Sequence, residues 1–311
     1  MATIKTIEIY PFEHSHLRDL RYIILESFGK KMDIDYLRNK YNSESFEINS
    51  LSTIAYIGGK PVAFYGAIPQ IFVSNTSDKV FVAHACDSYT IPSYQKQGVH
   101  YQLALRSYEL MQKNNVKLVY AFHSENTFHS TKKLKWKSHT AMKRFHIKAS
   151  RIPLSKVVNK LNARYITQVV FQKVFGNYIV ASCSNPLKEE DKFCQQYSSQ
   201  FYEYKNKLDQ HFILNIENTS FYVKLGAVMH IGYVRFKEAS QLLIAIRQLK
   251  SMASKIGISE LLFQLDPNSK AFQIMKQQFP SYDSWMIGYL PFDPKIDIQE
   301  FCFNYADLDT F

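Results

Sequence analysis

The run Gln95-Lys96-Gln97-Gly98-Val99-His100 stands where an apolar segment ending in Thr90-Ile91-Pro92 hands over to a helical pattern beginning at Val99. The first turn of a helix has N–H groups with no partner inside the helix, and the helix dipole adds partial positive charge there. Such a junction is an anion site in which backbone holds a phosphate or pyrophosphate, with Gly98 allowing close approach and Lys96 adding a mobile charge. The residues expected around the ligand are Tyr89, Thr90, Ile91, Gln95, Lys96, Gln97, Gly98, Val99, His100 and Tyr101. Titratable side chains lie close by in sequence: His84 and Asp87 before the junction, and His123 in His123-Ser124-Glu125-Asn126 after it. An imidazole titrates near neutrality and suits proton transfer. Strict alternation puts Asp87 on the opposite face of a strand from His84 unless a bulge intervenes.

The elements that must position these groups follow from apolar periodicity. Ile7 and Ile9 mark a first strand within 3–9, and Leu17, Leu20, Ile24 and Phe28, ending at Gly29, mark an amphipathic helix, followed by a short helix over 34–40. Segments 53–57 and 62–73, joined by Gly58-Gly59, read as a hairpin, because paired glycines supply the positive φ of a tight turn. A strand over 80–91, a helix over 99–114 with Leu103, Leu110 and Met111 inward, a strand over 117–122, a short helix over 126–134 and a strand over 140–147 complete the order. Residues 151–175 read as a helical connection between domains 1–150 and 176–311. The second domain repeats part of the order, with a hairpin over 221–236, a helix over 238–256, a strand over 260–265, a helix after Pro267 and a strand over 285–290.

The chain has 311 residues, 46% of them apolar, a length that fits two domains. Lys+Arg 38 against Asp+Glu 27 gives a net charge of +11, which favours a phosphate-bearing partner. Cys86, Cys183, Cys194 and Cys302 lack C-x-x-C spacing, and no secretory leader is read, so a reducing cytoplasm is expected. No metal is expected: His123 with His129, and His139 with His146, lack ligand spacing and accompanying carboxylates. No apolar run approaches the ~18 residues of a membrane span, and DNA is not expected as a partner.

At residues 95–100 the sequence resembles the GNAT superfamily of acyl-coenzyme A N-acyltransferases, whose pyrophosphate loop reads Q/R-x-x-G-x-G/A between the fourth strand and third helix. The resemblance covers about residues 50–147 by pattern and element order. His100 departs from the small residue of the pattern, and Lys135 replaces the glycine of a Leu-Gly-Phe-like turn in Leu134-Lys135-Trp136. The resemblance implies an α/β (α+β) GNAT fold, a mixed, mostly antiparallel sheet flanked by helices. It also implies acyl-coenzyme A as co-substrate, with Asn126 beside it where pantetheine passes between splayed strands. His84 falls where several members carry a base on the fourth strand; Asp87 and His123 are the other candidates for that role. Thiolate protonation falls to water, because 129–132 holds no tyrosine, and the oxyanion is expected to meet backbone N–H groups near Thr90 and Ile91.

In the second half no glycine lies between Tyr233 and Ser240, so the cradle is missing and a degenerate GNAT-like copy is expected, walling the acceptor cleft. Glu125, Tyr233, Arg235, Tyr282, Trp285 and Tyr289 are the acceptor candidates, since aromatic faces stack on bases and sugars and Arg pairs with phosphate. Leu118-Val119-Tyr120-Ala121-Phe122 followed by Lys133-Leu134-Lys135-Trp136 looks like a motif of bacterial enzymes that acylate amino sugars, which makes a nucleotide-linked (dTDP or UDP) amino sugar for surface polysaccharide the expected acceptor. Two other readings stand beside it: a tRNA-dependent aminoacyl transferase of the peptidoglycan type, and a non-catalytic module that binds acyl-coenzyme A.

Overall fold

The alternation at Ile7 and Ile9 becomes strand β1 (Ile7–Pro11) in the computed structural model, which describes residues 6–42, 46, 48–123, 131–150, 164–181 and 192–311. Helix α1 (Leu17–Phe28) buries Leu17, Leu20, Ile23 and Ile24 and ends at Gly29, whose φ of 68° lets the chain leave in the left-handed conformation. Ile23 takes the place in the stripe that the sequence assigns to Phe28, which is exposed and meets Tyr89 edge-on. Helix α2 (Ile34–Lys40) is capped by Asp33, whose carboxylate accepts the Asp35 N–H at 2.9 Å. Strands β2 (Thr53–Ile57) and β3 (Lys60–Val73) form the expected hairpin, with φ of 58° at Gly58 and 74° at Gly59. Strand β4 (Lys79–Thr90), helix α3 (Val99–Lys113) and strand β5 (Leu118–His123) follow.

These elements belong to one compact unit, Met1–His139 with Met286–Gln299. Its strands lie in the order β1-β2-β3-β4-β5, antiparallel throughout except for the parallel pair β4 and β5. Residues Met286–Pro291 pair antiparallel with the other edge of β5. Ile54 and Phe64 pack against α1 and α2 on one face, and Ala55, Ala63, Ala83 and Val119 against α3 on the other.

The second unit comprises Thr140–Trp285 and Glu300–Phe311. Strand β6 (Lys137–Lys148) leads into it, followed by α4 (Arg164–Phe175), β7 (Ile179–Val180), β8 (Phe193–Gln195), α5 (Ser199–Leu208), β9 (His211–Ile216), β10 (Thr219–Lys224) and β11 (Met229–Arg235). Helix α6 (Ala239–Lys255), β12 (Glu260–Leu265), α7 (Lys270–Met275), β13 (Tyr282–Pro291) and β14 (Phe301–Cys302) complete the chain. The order β6-β12-β11-β10-β9-β7 contains a parallel pair of its own, Met229–Ile231 of β11 beside Leu261–Phe263 of β12. Strand β6, next after β5 in the chain, pairs antiparallel with β12 of this unit, while the last residues of β13 pair with β5 of the first.

The sequence reading places the boundary after 150 and treats 151–175 as a connection. In the structure the division falls at His139/Thr140, and the described part of that segment, α4, carries Phe171 and Phe175 into the core of the second unit with both side chains fully buried. Burial of two phenylalanines makes α4 part of the domain it adjoins. The remainder of the proposed connection, 151–163, lies outside the described residues, as does most of the short helix expected over 126–134. Among the described residues no helix is long and apolar enough to cross a membrane.

Two histidines, His211 buried and His230 half-buried, are expected to make the second unit sensitive to acid. Burial, then Lys205 and Lys224, lowers His211 to about 3; burial, then Lys224, lowers His230 to about 4. Between the ordinary imidazole value of 6.5 and these values the unfolded chain binds protons that the folded one refuses. Their contribution to stability is therefore present above pH 6.5 and is lost as the pH falls toward 4. Asp307, which burial pushes up to about 7, opposes this with one group against two. The urea midpoint followed by circular dichroism is expected to fall between pH 7 and pH 5, and to fall less in His230→Asn.

Candidate functional site

Pro92–Tyr94 forms a short 3-10 turn after β4, and the loop beyond it is pinned by its own glutamines. Gln95 Nε2 donates to the Thr90 carbonyl at 3.0 Å and Gln97 Nε2 to that of Ser93 at 2.9 Å. Lys96 and Gly98 hold positive φ, 60° and 78°. Gly98 is the N-cap of α3 with no side chain bonded over the helix end, and the first helical bond runs from Gln102 N to the Gly98 carbonyl at 3.1 Å. The N–H groups of Val99, His100 and Tyr101 precede that bond and have no partner within the helix. A Cβ at Gly98 would meet nothing within 4 Å, so glycine serves the backbone conformation and leaves the space in front of the helix open. The corresponding helix end of the second unit is closed: Glu238 and Gln241 form a capping box over α6, putting a carboxylate where an anion would sit.

Beside this helix end the sheet opens. The parallel pairing of β4 and β5 lasts only from Val82–Leu118 to His84–Tyr120. Just beyond, Ala67 still faces Ala85 but Tyr65 faces Ser88, so Cys86 and Asp87 together oppose Gly66 in a β-bulge. A cavity of about 300 Å³ lies there, lined by Ala85, Cys86, Asp87 and Ser88 of β4, Ala121, Phe122 and His123 of β5, and Tyr65, His100, Thr131, Leu134 and Trp136. Lys135 holds a φ of 62°, the left-handed conformation that a glycine of the turn would adopt, and so keeps Leu134 and Trp136 facing inward.

The three candidate bases differ sharply in setting. His123 lines the cavity, 3% exposed, with its ring 5.1 Å from that of Trp136. Burial, then the nearby His84, pushes its pKa down to about 4, so it is neutral at pH 7. His84, the fourth-strand candidate, is 1% exposed and does not line the cavity; its ring stacks on Tyr120 at 5.0 Å and meets Phe122 edge-on. Its neighbours Ala83 and Ala85 pack toward α3, so strand alternation turns His84 to the other face of the sheet, at the last paired position before the strands part. Asp87 reaches the cavity because the bulge breaks the alternation, yet its Oδ2 is held by Lys40 Nζ at 2.6 Å and by the Tyr41 hydroxyl, which fixes it as an engaged carboxylate.

His100 packs its ring 5.8 Å from Tyr65 and faces the cavity, away from the helix end, with its pKa lowered by burial. The Ile91 N–H donates to the Val62 carbonyl at 3.0 Å and is thereby unavailable to an oxyanion. Tyr89 packs between Phe28 and Phe64, whereas Tyr101 is exposed. Glu125 and Asn126 lie outside the described residues. The acceptor candidates are divided between the two units. Tyr233 is 1% exposed in the second unit's core, bonded to the Tyr202 hydroxyl at 2.6 Å, which removes it from any ligand surface. Arg235, exposed Tyr282 and Trp285 belong to that unit, and Tyr289 to the first.

Sequence reasoning overlooks three features of the site. Lys40 and Tyr41 hold Asp87; Tyr65 and Tyr108 stand behind the cavity; and Gly288 of β13 lies against the His123 ring. Only the last left a signal, since a glycine inside a strand marks a close approach.

No family model matches the sequence, and no curated protein matches it. Among solved structures, the GCN5-related N-acetyltransferase from Kribbella flavida aligns with a TM-score of 0.62 at 12% identity, over 93% of this chain and 72% of that one. Saccharomyces cerevisiae N-myristoyltransferase with bound myristoyl-CoA aligns at 0.50 and 11% identity, over 93% and 78%. A GCN5-related N-acetyltransferase from Sphaerobacter thermophilus aligns at 0.50 and 11%, over 94% and 98%. Likeness at such identity is a likeness of fold, and the chain has the mixed, mostly antiparallel sheet flanked by helices of GNAT proteins.

A Cβ on Gly288 would lie 2.3 Å from His123 Cε1 and 2.4 Å from Nδ1, so Gly288→Ala must displace the imidazole. The substitution is expected to cost about 1–3 kcal/mol of stability. In a Trp285→Phe background, which leaves Trp136 as the single tryptophan, its fluorescence should shift as the His123 contact is lost.

Proposed function

We propose that the first unit binds an acyl-coenzyme A and transfers its acyl group to an amine. The observation that carries this reading is the cavity between diverging β4 and β5 beside a helix end whose amides have no side-chain cap. A pyrophosphate at Val99–Tyr101 would send the pantetheine arm into that cavity, with Lys96 as a mobile counter-charge. The solved neighbour from Saccharomyces cerevisiae holds myristoyl-CoA, which supports such a ligand for this fold.

In the reaction the amine lone pair attacks the thioester carbonyl carbon, the C–S bond breaks, coenzyme A leaves as thiolate, and the nitrogen gives up a proton. His123 is assigned as the acceptor of that proton, because it is neutral at pH 7 and faces the cavity. Its low basicity restricts it to a nitrogen made acidic by attack on the carbonyl. His84 is assigned to positioning through the Tyr120 and Phe122 rings, and Asp87 to holding the bulge. The oxyanion donors are placed on the backbone of the bulge, whose residues line the cavity. The departing thiolate takes its proton from water. The acceptor proposed is a nucleotide-linked amino sugar, which the +11 charge and 15% aromatic content favour; the second unit is read as a degenerate copy that binds no donor.

Thiol release from acetyl-CoA with UDP- and dTDP-linked amino sugars tests this directly. Release that depends on the amine supports transfer; coenzyme A binding without release supports a binding module, and salt-sensitive tRNA binding supports aminoacyl transfer. Gly98→Glu should weaken coenzyme A binding at least about tenfold. His123→Asn should lower kcat about 10²-fold. The factor should be the same at pH 6 and pH 8, since His123 is deprotonated at both.

A further inference from the structure

The cavity has a back wall of three interlocked rings. Trp136 Nε1 donates to the Tyr108 hydroxyl at 2.7 Å, and that hydroxyl lies 3.5 Å from the Tyr65 hydroxyl. All three residues are buried, and Trp136 and Tyr65 line the cavity directly. The Phe292 ring lies 5.7 Å from Tyr108, and that of His123 lies 5.1 Å from Trp136. Swinging the indole aside would break a buried hydrogen bond and strip both neighbours of contact, so this wall does not open as a loose aliphatic one would. At about 300 Å³ the cavity also stands at the bottom of the usual range for ligand sites, ~300–1,000 Å³.

We infer that the Trp136–Tyr108–Tyr65 wall is a gauge that restricts the donor to short acyl chains, acetyl or propionyl in size. The inference rests on the acyl-coenzyme A reading above and adds the class of donor. Trp136 and Tyr65 set specificity by occupying the volume a longer chain needs; Tyr108 positions both through its hydroxyl.

The test needs no acceptor: dissociation constants of coenzyme A, acetyl-, hexanoyl- and myristoyl-CoA are measured by calorimetry on the full chain, each referred to coenzyme A for the same variant. Wild type should bind acetyl-CoA as coenzyme A does and hexanoyl-CoA at least about tenfold more weakly. Trp136→Ala should bring hexanoyl-CoA to within about threefold of acetyl-CoA. Trp136→Phe, which keeps a ring but loses the indole N–H, should fall between and guards against failure of the alanine variant to fold. Equal wild-type binding of acetyl- and hexanoyl- or myristoyl-CoA overturns the gauge, as does an unchanged preference in both variants. No binding of coenzyme A at all would instead remove the donor reading itself.

Discussion

The site exists because β4 carries one residue too many. Cys86 and Asp87 together face Gly66, the strand bends away from β5, and a gap opens in what would otherwise be a continuous parallel pair. A bulge needs an anchor to stay in one place, and here it is electrostatic: Asp87 Oδ2 takes hydrogen bonds from both Lys40 and Tyr41 at the end of α2. The Lys40 side chain is only 5% exposed, so the ion pair with Asp87 is made largely out of water. The Tyr41 ring closes over Gly66 so tightly that a Cβ there would come within 3.0 Å of it. Residues at the end of helix α2, whose sequence carries no sign of chemistry, therefore hold the bulge that borders the cavity.

The opening and the helix end act together. Backbone amides at the start of α3 offer partial positive charge without a side chain to satisfy them, and the bulge opens a cavity of mixed lining beside them. Either alone would be ordinary. The second unit shows the contrast within the same chain: it too has a short parallel pair joined through a helix, but there Glu238 and Gln241 form a capping box at the helix start. Two similar strand arrangements thus differ at the residue that caps the helix, glycine in one and glutamate in the other.

Local features were legible in the sequence, and distant contacts were not. Gly58-Gly59 and Gly98 declare their conformations through residue type, and the structure holds them where such rules put them; of the α3 stripe Leu103 and Met111 are buried, whereas Leu110 is only half-buried because Ala104, Ser107 and Tyr108 fill the inward face. Lys135 was legible only in part: its place in the turn could be read, but a lysine does not announce the left-handed backbone that turns Leu134 and Trp136 inward. The two histidines differ in setting for a reason that their distance from the glycine loop does not reveal. His84 precedes the point where β4 and β5 separate and is sealed between rings, whereas His123 follows it and reaches the cavity. Tyr233 looked like a stacking surface because aromatic residues serve either purpose, and burial alone decided between them.

The domain boundary was misplaced for a topological reason that also bears on how the site is held. The antiparallel neighbour of β5 is residues 286–291, so the first 150 residues do not contain the whole first unit. Without that partner, β5 would present an open edge along Leu118–His123, losing backbone bonds from the strand that carries His123. The imidazole would also lose its seat, because Gly288 is the one position on the partner strand where the missing Cβ makes room for the ring. His123 is thus fixed from both directions, by Trp136 a few residues later in the chain and by Gly288 more than half the sequence away. A side chain that lines the cavity is thus seated by a strand from near the other end of the chain. Its geometry is for that reason a property of the completed fold and not of the motif beside it.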